Sequence, residues 1–392
     1  MNASDSARTI LLTAFEPSGD LLAARLIGEL RRRDPSLRFV AFGGPKMQAA
    51  GAELIETTTE HAKMLLSAVG EVQNHRRRLK VLEAWLAEND IAALIPVDSP
   101  AANWSVCKRV RKQRGHAKII HLVCPQIWGW ATWRIHRLRR LTDRVLCMLP
   151  FEPDWLGERG VEGIFVGHPV FEENQDSEPP TTTGDDLPEP GEGGMRLAMM
   201  PGSRRGELER NWPTMQQVFT SLRQDHPGLV GVIAARTDDD AKCLEELIAQ
   251  AGGMPEGLSL VAQRTDEVLA WSDLVFVKSG TSTLQVAAMR RPMVAFFNAS
   301  RKVWLCLGKW LVAIDTFALP NLISCWQGDG RAVPEFIPHF GDPEPLRAAL
   351  DVLLSDPEAR VAQKRALARV CEPFGELHFG QAAAAAVMEL LD

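Results

Sequence analysis

Short apolar runs rich in β-branched residues alternate along the first half of the chain with longer segments whose apolar residues recur at helical spacing. The runs lie at residues 9–14, 38–42, 91–95, 118–123, 144–148 and 164–166, with 53–56 as a shorter candidate. Short apolar runs between turn signals are typical of buried strands. Strands that alternate with helices predict a parallel sheet and therefore an α/β fold.

The second half repeats this alternation after a strongly polar stretch. Its apolar runs lie at residues 196–200, 229–234, 258–261, 274–277 and 292–297. Residues 172–194 contain almost nothing that could enter a core, which is typical of a linker. We therefore predict Rossmann-like domains at 1–171 and 195–375, joined by this linker and facing each other across a cleft. The helical segment at 376–392 is left open to pack on the first domain or on a partner subunit.

The composition is that of a soluble globular protein without a strong charge bias. A chain of 392 residues is longer than a domain with a single hydrophobic core usually is, so two domains are expected. Of its residues 45% are hydrophobic and 24% are charged, and the net charge is −6. That charge gives no general attraction to nucleic acid, so no such partner is predicted. The seven cysteines show no zinc-binding spacing and favour reduced thiols in the cytoplasm. No signal peptide is recognisable, and no run reaches the ~18 apolar residues of a membrane span.

Two stretches could still bring the chain to a membrane surface. Between Lys108 and Arg144 the only acidic residue is Asp143, which creates a basic field that suits an anionic lipid or a solvated helix face. Residues 302–314 combine tryptophans and leucines with flanking lysines. Such a segment suits an interfacial helix, a buried helix or a dimer contact. Peripheral attachment to the inner membrane face and a homodimer both stay open.

Asp98 follows the apolar run at residues 91–95, where the chain must leave the sheet. Ligands of open α/β sheets bind outside the carboxyl ends of the strands, so this carboxylate occupies a position suited to chemistry. The alternative is a local turn in which the carboxylate binds nearby amides before Pro100. The position alone does not decide between them.

Two turns of the second domain are candidates for binding a nucleotide diphosphate. Each lies between a predicted strand and a helix, where free amides favour an anion: Pro-Gly-Ser-Arg at residues 201–204 and Ser-Gly-Thr at residues 279–281. Arg204 can form paired bonds to phosphate oxygens, and the hydroxyls of Ser279 and Thr281 add donors. Small residues at such turns also occur for the turn alone. Neither a GKS/T phosphate loop nor a Gly-x-Ser-x-Gly nucleophile motif is present, and no metal-ligand spacing is found.

Two turns of the first domain carry candidate substrate contacts. The turn at residues 15–20 joins a strand to a helix, and its polar residues could bind a substrate or cap the helix through Ser18 or Asp20. Trp128, Trp130 and Trp133 lie within six residues of one another after a strand. They could form an apolar wall for an acyl chain or sugar, or pack in the ordinary way.

Taken in order, these motifs resemble the lipid-A-disaccharide synthases, which are glycosyltransferases of the two-Rossmann GT-B fold. The resemblance covers most of the chain. Its segments are residues 16–20, 43–47, 98–103, 128–130, 150–152, 167–169, 201–204, 279–281, 292–294, 319–321 and 333–335.

The resemblance implies an inverting transfer of 2,3-diacylglucosamine from UDP to the 6-hydroxyl of 2,3-diacylglucosamine 1-phosphate, without a cofactor or metal. Asp98 becomes the candidate general base. The candidate acceptor contacts in the first domain are Glu16, Ser18, Asn103, Trp128 and Trp130. The candidate UDP contacts in the second domain are Gly202, Ser203, Arg204, Ser279, Gly280, Thr281, Gln285 and Asn321.

Several positions depart from the family pattern, mostly on the acceptor side. Phe15 replaces a Gly and Ala101 replaces an acid, whereas Gln285 replaces the Glu that pairs with ribose hydroxyls. Ala131 and Pro338 are further departures. Two alternatives therefore stay open. One is a related GT-B sugar-nucleotide enzyme, such as a transferase to another acceptor or an epimerase, and the other is a weakly catalytic UDP- or lipid-binding homologue.

Overall fold

The computed structural model describes residues 8–59, 68–173, 186–301, 304–305 and 312–392. Within it the chain forms two compact units. The first contains residues up to Pro169 together with Glu376–Asp392, and the second contains Val170–Gly375. Residues 174–185 of the predicted linker lie outside the described residues.

The first unit is built on a parallel sheet of seven strands in the order β3-β2-β1-β4-β5-β6-β7. The strands are β1 Thr9–Ala14, β2 Arg38–Gly43, β3 Glu53–Thr57, β4 Ala93–Val97, β5 Lys118–Leu122, β6 Arg144–Cys147 and β7 Gly163–Phe165. From β1 the chain first adds strands β2 and β3 on one side of the sheet and then returns to add β4 to β7 on the other side. This change of side creates a switch point at the carboxyl ends of β1 and β4.

Helices cover both faces of this sheet. They are α1 Pro17–Arg33, α2 Pro45–Ala49, α3 Ala68–Glu88, α4 Pro100–Gln113, α5 Ile135–Leu141, α6 Glu152–Gly157 and α15 Phe379–Leu391. Although α15 is distant in sequence, its Phe379, Ala383 and Val387 are buried in the same core as β1 and α1. The buried Arg144 of β6 also donates to the carbonyl of Ala386 at 2.6 Å. The first unit is therefore completed by a helix encoded far from the rest of it.

The second unit has a parallel sheet of six strands in the order β10-β9-β8-β11-β12-β13. The strands are β8 Arg196–Met200, β9 Val230–Ala235, β10 Leu258–Ala262, β11 Leu274–Lys278, β12 Met293–Asn298 and β13 Glu335–His339. The helices are α7 Pro169–Glu173, α8 Arg205–Asp225, α9 Asp238–Gln250, α10 Thr265–Trp271, α11 Ser282–Ala288, α12 Leu319–Trp326, α13 Pro343–Ser355 and α14 Pro357–Cys371. Here the switch point lies between β8 and β11.

These two sheets confirm the predicted α/β class and its two Rossmann-like halves. One strand, β13, was not expected from the apolar pattern. It contains Pro338 and follows Pro334, and prolines cannot donate ladder hydrogen bonds. It tolerates them because it is the edge strand, where one side of the ladder has no partner strand.

No helix among the described residues is long and apolar enough to cross a membrane. The stretch at 302–314, considered above for membrane contact, lies mostly outside the described residues.

Candidate active site

Asp98 stands at the carboxyl end of β4, at the switch point of the first unit. Its amide donates to the carbonyl of Leu122 at 2.9 Å, which ties the turn to β5. Asp98 and Ser99 both have positive φ angles, 48° and 39°, a region that costs residues other than glycine about 1–3 kcal/mol each. In the described part of the chain, the half-buried Asp98 carboxylate takes part in no hydrogen bond or ion pair. The strained turn thus presents a carboxylate for which the described residues supply no partner.

The side chain of Asn103 holds the backbone of this turn in place. It is fully buried in the first turn of α4, and its Nδ2 donates to the carbonyls of Val97 at 3.0 Å and Asp98 at 2.7 Å. Its Oδ1 accepts from Thr13 Oγ1 at 2.7 Å. Its amide is therefore buried and bonded within the protein, and the acceptor contact predicted above stays a prediction.

Two candidate acceptor residues lie at the start of α1, where Glu16 is the N-cap and Ser18 belongs to the first turn. Glu16 and Ser18 are both exposed, and the Ser99 hydroxyl donates to Glu16 Oε1 at 3.4 Å. The capping alternative for Ser18 is wrong, because α1 has no side-chain hydrogen bond at its N-cap. Both side chains are therefore exposed to solvent at the carboxyl end of β1.

Asp20, in contrast, is a structural residue. Its buried carboxylate accepts from the amides of Gly44 at 3.1 Å, Lys46 at 3.1 Å and Met47 at 3.0 Å, and so caps α2 rather than its own helix. A Cβ on Gly44 would lie 2.5 Å from Asp20 Oδ2. The segments at residues 16–20 and 43–47 therefore belong together because one supplies a carboxylate and the other a backbone that only glycine lets approach.

The tryptophans after β5 separate into a buried and an exposed group. Trp128 is buried, contacts Phe151 edge to face, and donates from Nε1 to Glu152 Oε1 at 3.0 Å. Trp128 therefore packs inside the first unit, and its acceptor role stays a prediction. Trp130 is 45% exposed, and the guanidinium of Arg134 lies 4.3 Å from the centre of its ring. Trp130 is thus the one of these two candidates that can reach a substrate or a surface.

A buried polar cluster under this loop was not predicted. Ligand atoms of Cys124, Cys147 and Glu152 all lie within 4.8 Å of one another, a spacing that could hold a metal ion. Contact with Cys147 and burial raise the pKa of the Cys124 thiol, and burial raises the pKa of Cys147 and brings that of Glu152 to about 7. Both Glu152 oxygens already accept hydrogen bonds, one from Trp128 Nε1 and one from the Leu149 amide. The geometry thus fits an anchor for the loop better than a metal centre.

The two candidate phosphate turns of the second unit flank its switch point. Residues 201–204 follow β8, and residues 279–281 follow β11, its neighbour in the sheet. Asn211 Nδ2 donates to the carbonyl of Pro201 at 2.8 Å and shapes the first turn. Gly280 has a φ of 152°, which favours glycine, and its carbonyl accepts from Thr283 Oγ1 at 2.7 Å. The structure therefore brings together two turns that the sequence separates by about 75 residues.

The residues of these turns differ in exposure. The Arg204 side chain is 77% exposed, Thr281 is exposed, and Gly202 and Ser203 lie between β8 and α8. Ser279 is held by its amide, which donates to the carbonyl of Phe296 at 2.7 Å.

An ion pair that the sequence did not reveal joins the two turns. Lys278 Nζ lies 3.2 Å from Glu207 Oε1. The same carboxylate accepts from the Ser203 amide at 3.4 Å and pairs with Arg204 Nη1 at 3.4 Å. The position of Lys278 directly before Ser-Gly-Thr could have indicated a cation at this turn. The apolar pattern, however, predicted that the strand ends at Val277, so Lys278 was not considered as part of the site. Glu207 looked like an ordinary acidic residue in the first turn of a helix.

Two further donor candidates differ in accessibility. Gln285 is half-buried on α11, and its Nε2 donates to Asp266 Oδ1 at 2.6 Å. Asn321 is fully buried, donates to Val333 O and Glu335 Oε2, both at 2.9 Å, and accepts from the Val333 amide. Asn321 therefore ties α12 to β13 in this structure, and its contact with UDP stays a prediction.

The chain was compared with known proteins. A family model described as "Lipid-A-disaccharide synthetase" matches residues 10–386. A lipid-A-disaccharide synthase of Anaeromyxobacter dehalogenans is 36% identical over 373 residues, which are 94% of this chain and 93% of the relative.

Solved structures share the fold at low identity. A glycotransferase of kitacinnamycin has a TM-score of 0.61 and 17% identity, covering 99% of this chain and 100% of its own. A UDP-GlcNAc 2-epimerase from Neisseria meningitidis, bound to UDP-GlcNAc, has a TM-score of 0.58 and 11% identity, covering 98% and 99%. These likenesses support the GT-B architecture. The match of the family model over nearly the whole chain and the 36% identity go further: the chain belongs to the lipid-A-disaccharide synthase family.

Proposed function

We propose that this protein transfers 2,3-diacylglucosamine from UDP-2,3-diacylglucosamine to the 6-hydroxyl of 2,3-diacylglucosamine 1-phosphate, with inversion at the anomeric carbon. The acceptor oxygen forms a bond to that carbon while the bond to the diphosphate breaks, and UDP leaves. The observation that carries the proposal is the unused carboxylate of Asp98 at a strained switch point, in a chain of this family.

Asp98 acts as the general base in this scheme. It takes the proton of the 6-hydroxyl as that oxygen attacks, which is the task of a carboxylate within hydrogen-bonding reach of a reacting hydroxyl. Asn103 serves as a positioning residue through its bonds to the carbonyls of Val97 and Asp98. A base whose backbone is fixed in this way needs little reorganisation when the acceptor binds.

Exposed polar and aromatic groups near this edge supply the acceptor contacts. Glu16 and Ser18 offer hydrogen bonds to sugar hydroxyls. Trp130 offers an apolar face, and the adjacent Arg134 a positive charge for the acceptor phosphate. The same exposed aromatic and basic groups suit contact with an anionic membrane surface, where an acylated substrate would be met.

The turns of the second unit supply the donor contacts. Amides of residues 202–203 and 279–281, the hydroxyls of Ser279 and Thr281, and the Arg204 guanidinium bind the diphosphate. Gln285 with its partner Asp266 lies one turn along α11 and is the proposed ribose contact. No cofactor is required by this scheme, because the charge of the leaving UDP is met by these donors.

The test is an assay with both lipid substrates, scored by the mass of the product. Wild type is expected to form the disaccharide 1-phosphate and UDP, and Asp98→Asn to lose about 10²–10⁴-fold in kcat. Asp90→Asn is the matched control. Asp90 precedes the amino end of the same strand, whereas Asp98 follows its carboxyl end, and the Asp90 side chain is 71% exposed. Equal slow turnover in wild type and Asp98→Asn would reject the base assignment. Turnover only with a non-acylated UDP-sugar would favour a related GT-B enzyme.

A further inference from the structure

We propose that Lys278 is a direct cationic contact for the donor diphosphate and that Glu207 is its counter-ion while no donor is bound. This inference rests on the proposed function, since it assumes that the turns at 201–204 and 279–281 hold that diphosphate.

The first argument is the position of the ammonium group. Lys278 is the last residue of β11 and directly precedes the Ser-Gly-Thr turn. A Cβ built on Gly280 would lie 3.3 Å from Lys278 Nζ, so the ammonium lies against the backbone of that turn. Its partner carboxylate belongs to Glu207, which also reaches the turn after β8 through the Ser203 amide. One cation thus lies directly against the turn after β11 and is linked to the turn after β8 through Glu207.

The second argument concerns charge that is held ready rather than solvated. The Lys278 side chain is 17% exposed and that of Glu207 is 10% exposed. Within the described residues the ammonium makes this one ion pair and lies 5.4 Å from the ring centre of Phe297. As far as the described residues go, two of its three N–H donors therefore have no partner and can bind a ligand. A long solvent-exposed lysine would have to be immobilised on binding, whereas this one is already in place.

The third argument is the state of Glu207. Burial alone would raise the pKa of this carboxyl, but Lys278, the Ser203 amide and Arg204 outweigh burial, and the pKa is lowered. Glu207 is therefore ionised at neutral pH and balances two cations next to an anion site. When a diphosphate binds, its oxygens can share these cations with Glu207, so neither cation needs to be brought in from solvent.

A purely structural salt bridge between the two turns is the competing explanation. It predicts that removing either partner harms the site equally and that every ligand of the site is affected alike. A direct phosphate contact predicts that only the loss of the cation harms binding, and only for ligands that carry phosphate.

The experiment is calorimetric titration of the full chain with UDP and with uridine. Lys278→Met is expected to raise the Kd for UDP at least tenfold and that for uridine less than threefold, and Lys278→Arg to recover most of the loss. Glu207→Gln, which keeps the cation, is expected to bind UDP within threefold of wild type. Lys242→Met removes an exposed lysine of the same unit and is the control for net charge.

Thermal unfolding of each variant establishes that it is folded, and Lys278→Gln replaces Lys278→Met if the latter is not. Equal losses for UDP and uridine, or equal losses in Lys278→Met and Glu207→Gln, would overturn the role of Lys278. Failure of wild type to bind UDP would instead reject the proposed donor site itself, so the two failures are distinguishable.

Discussion

Replacing Thr13 by valine should reveal whether the positioning of Asp98 matters for catalysis. The two side chains have nearly the same shape, so the change deletes a hydroxyl without opening a cavity. Thr13 is buried in β1, and valine suits a buried strand. The lost interaction is the 2.7 Å hydrogen bond from Thr13 Oγ1 to Asn103 Oδ1.

The expected size follows from the burial of both partners. Asn103 Oδ1 would be left without a donor in a site closed to water, which costs about 1–3 kcal/mol of unfolding free energy. The same loss frees Asn103 to rotate and weakens its bonds to the carbonyls of Val97 and Asp98. We expect kcat to fall about tenfold, or about 1.4 kcal/mol, with little change in KM, because the base is displaced while the exposed acceptor contacts remain.

Urea unfolding and steady-state kinetics on the same preparation measure both effects. Ser272→Ala is a suitable control, since it removes another buried hydroxyl, which donates to the carbonyl of Leu269 at 2.9 Å. Ser272 belongs to the second unit and precedes the amino end of β11. It should lose stability without losing kcat. If Thr13→Val loses stability but keeps wild-type kcat, Asn103 does not position the base. Unchanged stability would mean that the hydrogen bond contributes nothing.

Three further predictions address residues outside that turn. Asn321→Ala should lower the unfolding free energy by about 2–4 kcal/mol, because the buried hydrogen bonds to Val333 and Glu335 are lost. The Kd for UDP, measured by calorimetry on the folded variant, should change less than threefold. A tenfold rise in this Kd at unchanged stability would instead indicate that Asn321 contacts UDP directly. Burial raises the pKa of Glu152 from 4.5 to about 7, so its protonated form stabilises the folded chain below pH 4.5 and this contribution is lost as the pH rises through 7. Wild type should therefore lose about 3 kcal/mol relative to Glu152→Gln across that window in urea unfolding, and a constant difference between the two would contradict this. Trp130→Ala should reduce sedimentation with anionic phosphatidylglycerol vesicles at least threefold, whereas Trp326→Ala, 44% exposed on the other unit, should not; equal losses would refute a specific contact.

The sequence was sufficient for the strands other than β13 and for the turns at residues 201–204 and 279–281 that join strands to helices, because buried parallel strands are continuous apolar runs and the turns directly follow them. Phosphate binding by these turns stays a prediction. It was insufficient wherever a polar side chain faces inward. Asn103 and Asn321 read as ligand contacts, since an amide in a motif carries no sign of whether it points to solvent or to a backbone carbonyl. Only the fold shows that both are fully buried.

Contacts between distant segments were hidden for the same reason. Glu207 and Lys278 are 71 positions apart, and their pairing depends on β8 and β11 being neighbours in the sheet. The cluster of Cys124, Cys147 and Glu152 likewise draws on three elements, none of which shows metal-ligand spacing. Periodicity reports the environment of one element, whereas these contacts depend on topology.

The helix α15 has a consequence for how the protein folds during synthesis. Its Phe379, Ala383 and Val387 fill the core of the first unit, yet they are translated after all of the second. The first unit therefore cannot complete its core until the last residues of the chain have been translated, whereas all of Val170–Gly375 is translated before them. We expect any dependence on chaperones to arise mainly from the amino-terminal unit. In most multidomain proteins the amino-terminal domain completes its folding first, whereas here it cannot.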